Sequence, residues 1–388
     1  MIYGFFHILL LLIIFEVFYF DIAYKGSKSY YPCFKYTWVF LALVSAFKYG
    51  VGPDTPNYMK AYEMMPPVNE LTLFDFALFR FQPLYTLTNS VCKFFTDNFV
   101  LVQICQSGLF FTSTYLMMKE LKVRKFYVLA FIFLFFYFIS GITAMRESFA
   151  MSFCFFSFKY YHERRWGMFY LFILIALGFH TGAIAFTILP FFHIFDVNRK
   201  RNMGYMVSLS LLFSLFAWNF LSDYDSSSET SGSIGRYLNA DSAGLSIANI
   251  IKNILILFVL YRTVFFMKRK KGDIIMMAAF YVVLDLLSSA LIPMIFRISS
   301  YFTLMFCYAM CLILGNKRMP VGYKIVVIVL FFYQPVARYI NFYTNEIFIK
   351  GAGIDPYCSV FSDDKTYYTK LINEADALDY YKESGLDN

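Results

Sequence analysis

The run KFYVLAFIFLFFYFIS at residues 125–140 is followed, after Gly141 and Ile142, by TAMRESFAMSFCFFSFKYY at residues 143–161. Between Lys125 and Arg146 no side chain carries a charge. Blocks of about 17–25 mostly apolar residues are long enough to cross a bilayer as a helix. In hydrocarbon every backbone N–H and C=O needs an internal partner, which a helix supplies along its own length. A transmembrane barrel would instead show strands of about 10 residues in strict alternation, a pattern absent here.

Working outward, comparable blocks lie at 2–20, 31–47, 98–118, 167–179, 182–195, 204–221, 248–266, 274–292, 301–315 and 324–340. The pair 167–179 and 182–195 is short enough to form one broken hairpin around His180. The predicted fold is therefore all-α: a polytopic integral membrane bundle of roughly 11–13 transmembrane helices, with short broken helices on the outer side. Residues 1–340 read as one membrane-embedded domain with outer loops at about 48–97 and 222–248. Residues 341–388 read as an outer-face tail carrying a short amphipathic helix, with Tyr368, Leu371, Ile372, Ala375 and Leu378 on one stripe.

Composition agrees. Of 388 residues 59% are apolar, 15% charged and 22% aromatic, against about 25% charged in a soluble domain. The first 20 residues have no basic start and no small-residue cleavage site, so they read as an uncleaved helix. Seven cysteines, odd in number and without a CxxC pair, argue against a disulfide or metal framework. The net charge of +8 fits loop anchoring rather than nucleic-acid binding. Basic clusters at Lys119–Lys125, Lys159 with Glu163–Arg165, Asp196–Arg201, Lys268–Lys271 and Asn316–Lys324 all fall on one side if the spans alternate. That side is the cytoplasm by the positive-inside rule. Three long polar segments, Lys48–Asp97, Ser222–Ala248 and the tail after Asn341, then face outward. The apolar stretch Leu84–Phe95 within the first reads as a surface or re-entrant helix.

Nucleotide-binding and hydrolase motifs are missing, and the Asp223-Tyr224-Asp225 spacing lacks an α/β domain around it. The informative groups are ionisable residues near membrane depth, where each costs about 2.5–3.5 kcal/mol at a helix centre. Arg146 sits between two apolar helices. Ala144, Ser148 and Ser152 repeat every four residues beside it, a close-packing face. His180 lies between glycines in Gly178-Phe179-His180-Thr181-Gly182, and Arg297 follows Ile292-Pro293-Met294-Ile295-Phe296. Asp285 interrupts another apolar run. It is either structural or a partner of Arg297. Arg236 belongs to the second outer loop, and Arg338 ends the last helix. The segment Lys48-Tyr49-Gly50-Val51-Gly52-Pro53-Asp54-Thr55-Pro56-Asn57-Tyr58 constrains its path with two glycines and two prolines. Lys48 and Asp54 are placed to shape a cavity mouth. Guanidinium groups converging on one rim suit phosphate oxygens.

Taken in order, K-Y-G-V-G-P-D-x-x-x-Y (Lys48 to Tyr58), T-A-M-R-E-S-F-A (Thr143 to Ala150), G-F-H-T-G-A (Gly178 to Ala183), R-I-S-S-Y-F (Arg297 to Phe302) and D-P-Y-C-S (Asp355 to Ser359) resemble the EpsG family, within the broader Wzy-like polysaccharide polymerases. One departure is Gln82-Pro83-Leu84-Tyr85, where the family commonly has an acid before proline. The resemblance implies a capsule, exopolysaccharide or O-antigen polymerase in the bacterial cytoplasmic membrane, acting at its outer face. Its substrate would be a polyprenyl-diphosphate-linked oligosaccharide, transferred to the terminal sugar of another lipid-linked repeat unit. A chain-length regulator and a flippase of the same pathway are the implied partners beside the bilayer itself. On this reading Arg146, Arg297 and Arg236 hold the diphosphate, and His180 or Asp54 takes the acceptor proton. Lys48, Tyr58, Gln82, Arg338 and Tyr357 line the substrate path. Neither a cofactor nor a metal is expected, the arginines standing in for a cation. A flippase, which would need a similar cationic cavity, a membrane acyltransferase with His180 as base, and a non-catalytic export subunit are the competing readings.

Overall fold

In the computed structural model the described residues are 3–24, 28–52, 54–79, 81–121, 125–194, 204, 208, 247–264, 272–290, 298–316, 318–344 and 357–374. They are overwhelmingly helical. The only extended pairing among them is a single antiparallel bridge between Lys48 and Ser359. The chain divides into two compact units, Met1–Phe186 with Pro335–Tyr380 and Thr187–Gln334 with Tyr381–Asn388.

In the first unit, α1 (Phe5–Glu16) runs on as a π-helical turn to Ala23, and α2 covers Tyr30–Ala46. Three shorter helices follow: α3 (Thr55–Met64), α4 (Leu73–Phe79) and α5 (Pro83–Phe95). The last coincides with the helix, surface or re-entrant, expected between residues 84 and 95. Next come α6 (Val100–Leu121) and α7 (Lys125–Ile132), the latter widening into a π-helix over Phe133–Thr143. The expected single span at 125–140 is thus α for its first half only. Then α8 (Met145–His162) and α9 (Trp166–Leu177) lead into a 3₁₀ turn, Thr181–Ile188.

The centre of this unit is α6 against α8, with α2 and α9 flanking. At 22 residues, α6 is about 33 Å long, the thickness of a hydrocarbon layer. Its inward face is polar as well as apolar. Gln103, Gln106, Ser107, Ser113 and Thr114 are all buried. Ser107 Oγ donates to the Ala42 carbonyl (2.6 Å) and the Trp38 indole to that of Phe111 (3.1 Å), tying α2 to α6. Ser148 and Ser152, two members of the expected small-residue stripe, are fully buried in α8. Small and hydroxylated residues let helices approach closely where water supplies no driving force. Outward faces are apolar too: Ile8, Leu11 and Phe15 of α1, Phe18 of the π-helical turn after it, Tyr36 and Val39 of α2, and Leu174 of α9 are exposed. Such a surface suits lipid rather than water. Among the described residues, Phe5–Ala23 and Val100–Glu120 are long and apolar enough to cross a membrane, and Trp166–Leu177, Ile274–Leu287, Ser300–Gly315 and Val321–Phe332 are shorter apolar helices.

The second unit begins with the 3₁₀ turn's last residues and α10 (Phe191–Ile194). It continues with α11 (Ile247–Val264), α12 (Gly272–Ala290), a 3₁₀ turn at Ser300–Phe302, α13 (Thr303–Gly315) and α14 (Val321–Thr344) as far as Gln334. Here α12 is buried without a break from Ile274 to Asp285. Asp285, 2% exposed, lies 3.8 Å from Lys252 Nζ and accepts from Asn253 Nδ2 (3.3 Å). Lys252, on the neighbouring helix, is thus one partner of Asp285; Arg297 lies outside the described residues. The expected span 204–221 lies outside the described residues but for single positions.

Candidate functional site

The site grows from three places where helices start or stop. The first is the turn after α2. Gly50 and Gly52 have φ of 67° and 102°, a backbone region that side-chain-bearing residues avoid. The turn closes when Thr55 Oγ1 donates to the Val51 carbonyl (2.8 Å). It delivers Asp54, exposed, to the N-terminal cap of α3, with Pro56 in the first turn, where a missing N–H is tolerated. One turn on, Tyr58 is buried.

The second place is the break between the π-helix and α8. Ala144 has φ −87° and ψ 69°, which no helix can pass through. Carbonyls at the end of the first helix are met by side chains. Ser148 Oγ donates to Ser140, Ser45 Oγ (2.5 Å) and Gln106 Nε2 (3.4 Å) to Gly141, and Lys48 Nζ to Ile142. Arg146 follows in the first turn of α8. Its Nε donates to Tyr58 Oη and its Nη1 to Gln82 Oε1, both at 3.3 Å. The guanidinium also lies over the rings of Phe81 (5.0 Å) and Tyr58 (5.7 Å). Gln82 is the cap of α5, extended at ψ 144° ahead of Pro83.

The third place is the end of α9. The N–H groups of Gly178, Phe179 and His180 fold back on Ile175 and Ala176. The Gly182 N–H donates to His180 Nδ1 (3.2 Å). A neutral imidazole with Nδ1 accepting carries its proton on Nε2, so that the ring is a donor there. This turn is joined to the other two. The Leu84 N–H donates to the Gly178 carbonyl (2.8 Å), and Leu84's side chain occupies the space a β-carbon at Gly178 would need, 2.5 Å away. Phe149, on α8 just after Arg146, stacks on Phe179 (5.0 Å, 12°).

Between these parts stands Tyr85, 1% exposed. Its ring meets those of Phe81 (5.3 Å), Tyr58 (5.8 Å) and Phe149 (6.1 Å). No hydrogen bond of ordinary geometry reaches its hydroxyl among the described residues, but the Asn89 amide, which donates to the Tyr85 carbonyl (2.8 Å), lies close enough to ease the phenol's ionisation. Burial raises this phenol well above its usual range. Tyr58 and, more weakly, Asp54 add to the rise, and the Arg146 charge opposes it. Asp54 and Arg146 are therefore both within electrostatic reach of Tyr85. Tyr85 and Phe81 were not singled out from the sequence. The signal available was the Gln82-Pro83 helix start, which sets Tyr85 one turn in from Gln82.

Lys48 is not at the surface. It is fully buried, its ammonium on the Ile142 carbonyl, and burial lowers it to about 7. What covers it is a strap from the other end of the chain. Tyr49 N–H donates to the Cys358 carbonyl and Val360 N–H to that of Phe47, each at 2.9 Å. Tyr357, buried, donates to the Val44 carbonyl (2.9 Å) and stacks on Phe5 (4.6 Å). The strap continues into α15 (Thr366–Glu374), which packs on α3 and buries Tyr368 and Ile372 from the expected stripe. Ala375 and Leu378 lie outside the described residues. Tyr357 is thus a clasp residue. Arg338 is in α14, its side chain outside the described set, as are Arg236 and Arg297 entirely. The structure brings together Arg146, Gln82 and Tyr58, with Asp54 and the His180 turn joined to them.

These features define an all-α protein with extensive apolar helix surfaces and an arginine-centred polar cluster built at helix ends. A family model described as the EpsG family matches residues 33–350, and the chain belongs to that family. The resemblance drawn from the five ordered motifs is thereby borne out. Membership carries a polysaccharide-polymerase-like role in general, and membrane association with it. No curated protein and no solved structure matches the chain significantly.

Proposed function

We propose that this protein joins polyprenyl-diphosphate-linked glycans at the outer face of the bacterial cytoplasmic membrane. The observation that carries the reading is the Arg146 guanidinium, partly buried and held by two neutral acceptors, Gln82 and Tyr58. These two contacts hold the plane of its fork, and a planar guanidinium fork suits the oxygens of a diphosphate. In the reaction an acceptor hydroxyl oxygen attacks the donor's anomeric carbon, and the bond from that carbon to the diphosphate oxygen breaks. Arg146 stabilises the charge gathering on the departing diphosphate. His180, protonated on Nε2, is a hydrogen-bond donor to an anionic oxygen. The acceptor's proton passes to Asp54, an exposed carboxylate within reach of the same cluster.

The test is the lipid-linked material in cells lacking the protein and in cells carrying Arg146→Lys. Lysine keeps the charge and loses the planar fork, so polymer should fall about tenfold to hundredfold, the worth of one charge-assisted contact, with single lipid-linked repeat units accumulating outside. Normal polymer from well-expressed Arg146→Lys would overturn the site. Repeat units trapped inside would indicate a flippase.

A further inference from the structure

We infer that Lys48 is a positioning residue, whose side-chain nitrogen fixes the helix break ahead of Arg146 and so aims the guanidinium at its ligand. The inference rests on the site reading above and assigns Lys48 a role that the sequence did not suggest.

The π-helix ends where Ala144 turns the chain, and its last carbonyls point into a packed interior. An unsatisfied buried carbonyl costs on the order of 1–3 kcal/mol, so the break persists only if donors arrive from elsewhere. Ser148 comes from α8, Gln106 from α6, and Ser45 and Lys48 from α2 and the turn after it. Lys48 is the only cation of the four. It grips Ile142, four residues before Arg146. Burying an ammonium costs several kcal/mol. Here the C-terminal ends of two helices, α2 and the π-helix, supply partial negative charge beside it. Any neutral donor would avoid that cost, but a lysine has the length to cross from the turn to Ile142 while the strap at Cys358–Val360 seals the outside.

The purpose of such an anchor lies in Arg146's own contacts. Its hydrogen bonds to Tyr58 and Gln82 are each 3.3 Å long, close to the limit at which a hydrogen bond still holds. A shift of a few tenths of an ångström at the start of α8 therefore releases the guanidinium from Gln82 and Tyr58. Lys48 and Ser45, neither of which contacts the ligand, set that position.

The experiment is a double-mutant cycle on the purified full-length protein in detergent, reading the dissociation constant for farnesyl diphosphate, which carries the diphosphate and a prenyl chain without sugar. Lys48→Met keeps the length and removes the donor. It should weaken binding about tenfold, with Arg146→Lys weakening it by about tenfold to a hundredfold. The double variant should bind no worse than Arg146→Lys alone, because both changes disable one element. Ser45→Ala, a smaller change, should act in the same direction by about threefold and be equally silent over Arg146→Lys. It decides the matter if Lys48→Met does not yield folded protein. Trp38→Phe, which removes a buried hydrogen bond of the same unit far along α2, should lower the melting temperature and leave affinity alone. Lys48→Met and Ser45→Ala losses that multiply with that of Arg146→Lys, or affinities equal to wild type, would overturn the inference while leaving the site intact. Wild-type affinity in Arg146→Lys would instead overturn the site reading, and the inference with it.

Discussion

Gly178→Ala tests the joint that holds the His180 turn to the Arg146 cluster. Gly178 sits at φ −65° and ψ −16°, where alanine fits the backbone without strain. The whole cost of the change is therefore steric. A β-carbon there would lie 2.5 Å from Leu84 Cδ1 and 2.6 Å from Cγ, so the leucine must retreat by about 1 Å to reach ordinary contact. Overpacking of this kind costs about 1–3 kcal/mol. Leu84 is half-buried, and Leu84→Ala alone should cost about 1–2 kcal/mol in lost contact. The double variant restores the space, so its loss should match that of Leu84→Ala, a coupling of about 1–3 kcal/mol. Melting of the purified protein in detergent gives the stability side. Affinity for farnesyl diphosphate gives the other, because pushing Leu84 away carries Gln82 off Arg146 two residues earlier. Strictly additive losses, or a harmless Gly178→Ala, would show that the joint is looser than its geometry. Gly50→Ala serves as contrast: its φ of 67° leaves strain even when Tyr368, whose Cβ lies 2.8 Å from the added carbon, is replaced by glycine.

Other outcomes follow from the same structure. His180→Gln, which keeps an N–H donor, should retain part of the transfer activity, whereas His180→Phe should abolish it; equal loss in both would return His180 to the role of base. Lys48, lowered to about 7 by burial, makes stability rise between about pH 7 and 10, because there the unfolded chain holds a proton that the folded one lacks. The gain is a few kcal/mol at most, flat below pH 7 and missing from Lys48→Met; melting curves of the two proteins that stay parallel across pH 7–9 would contradict it. Cysteines at Ser227 and Lys270 should label oppositely with an impermeant thiol reagent, and equal labelling would remove the proposed orientation.

What the sequence made legible was set by physics that acts locally. The spans 98–118 and 143–161 closely match Val100–Leu121 and Met145–His162, since apolar length and flanking charge are written in the chain itself. The π-helix at Phe133–Thr143 was not legible. The same aromatic run satisfies either ladder, and the outcome depends on Ser45, Lys48 and Gln106 reaching its carbonyls from other helices. The burial of Lys48 was hidden for a related reason: the turn reads as a cavity mouth, and the strap that covers the lysine begins at Tyr357, 313 positions beyond Val44. Arg146 could be picked out as a charge in an apolar setting. Its partners could not, because Gln82 and Tyr58 lie 64 and 88 positions away. Tyr85 was lost among 32 tyrosines and 50 phenylalanines, where no aromatic residue stands out by type.

The strap has a consequence for the order in which the protein is made. Tyr357 hydrogen-bonds to Val44, 313 positions earlier. At about 5–20 residues per second, the turn at Lys48–Gly52 leaves the ribosome roughly 15–60 s before its cover exists. Through that interval the lysine meets water and the grip on Ile142 is unsealed. Loop closure over so long a separation comes late in folding as well. The arginine is therefore aimed only once the strap has been made, and a chain stopped short of Tyr357 inserts its helices without a finished rim.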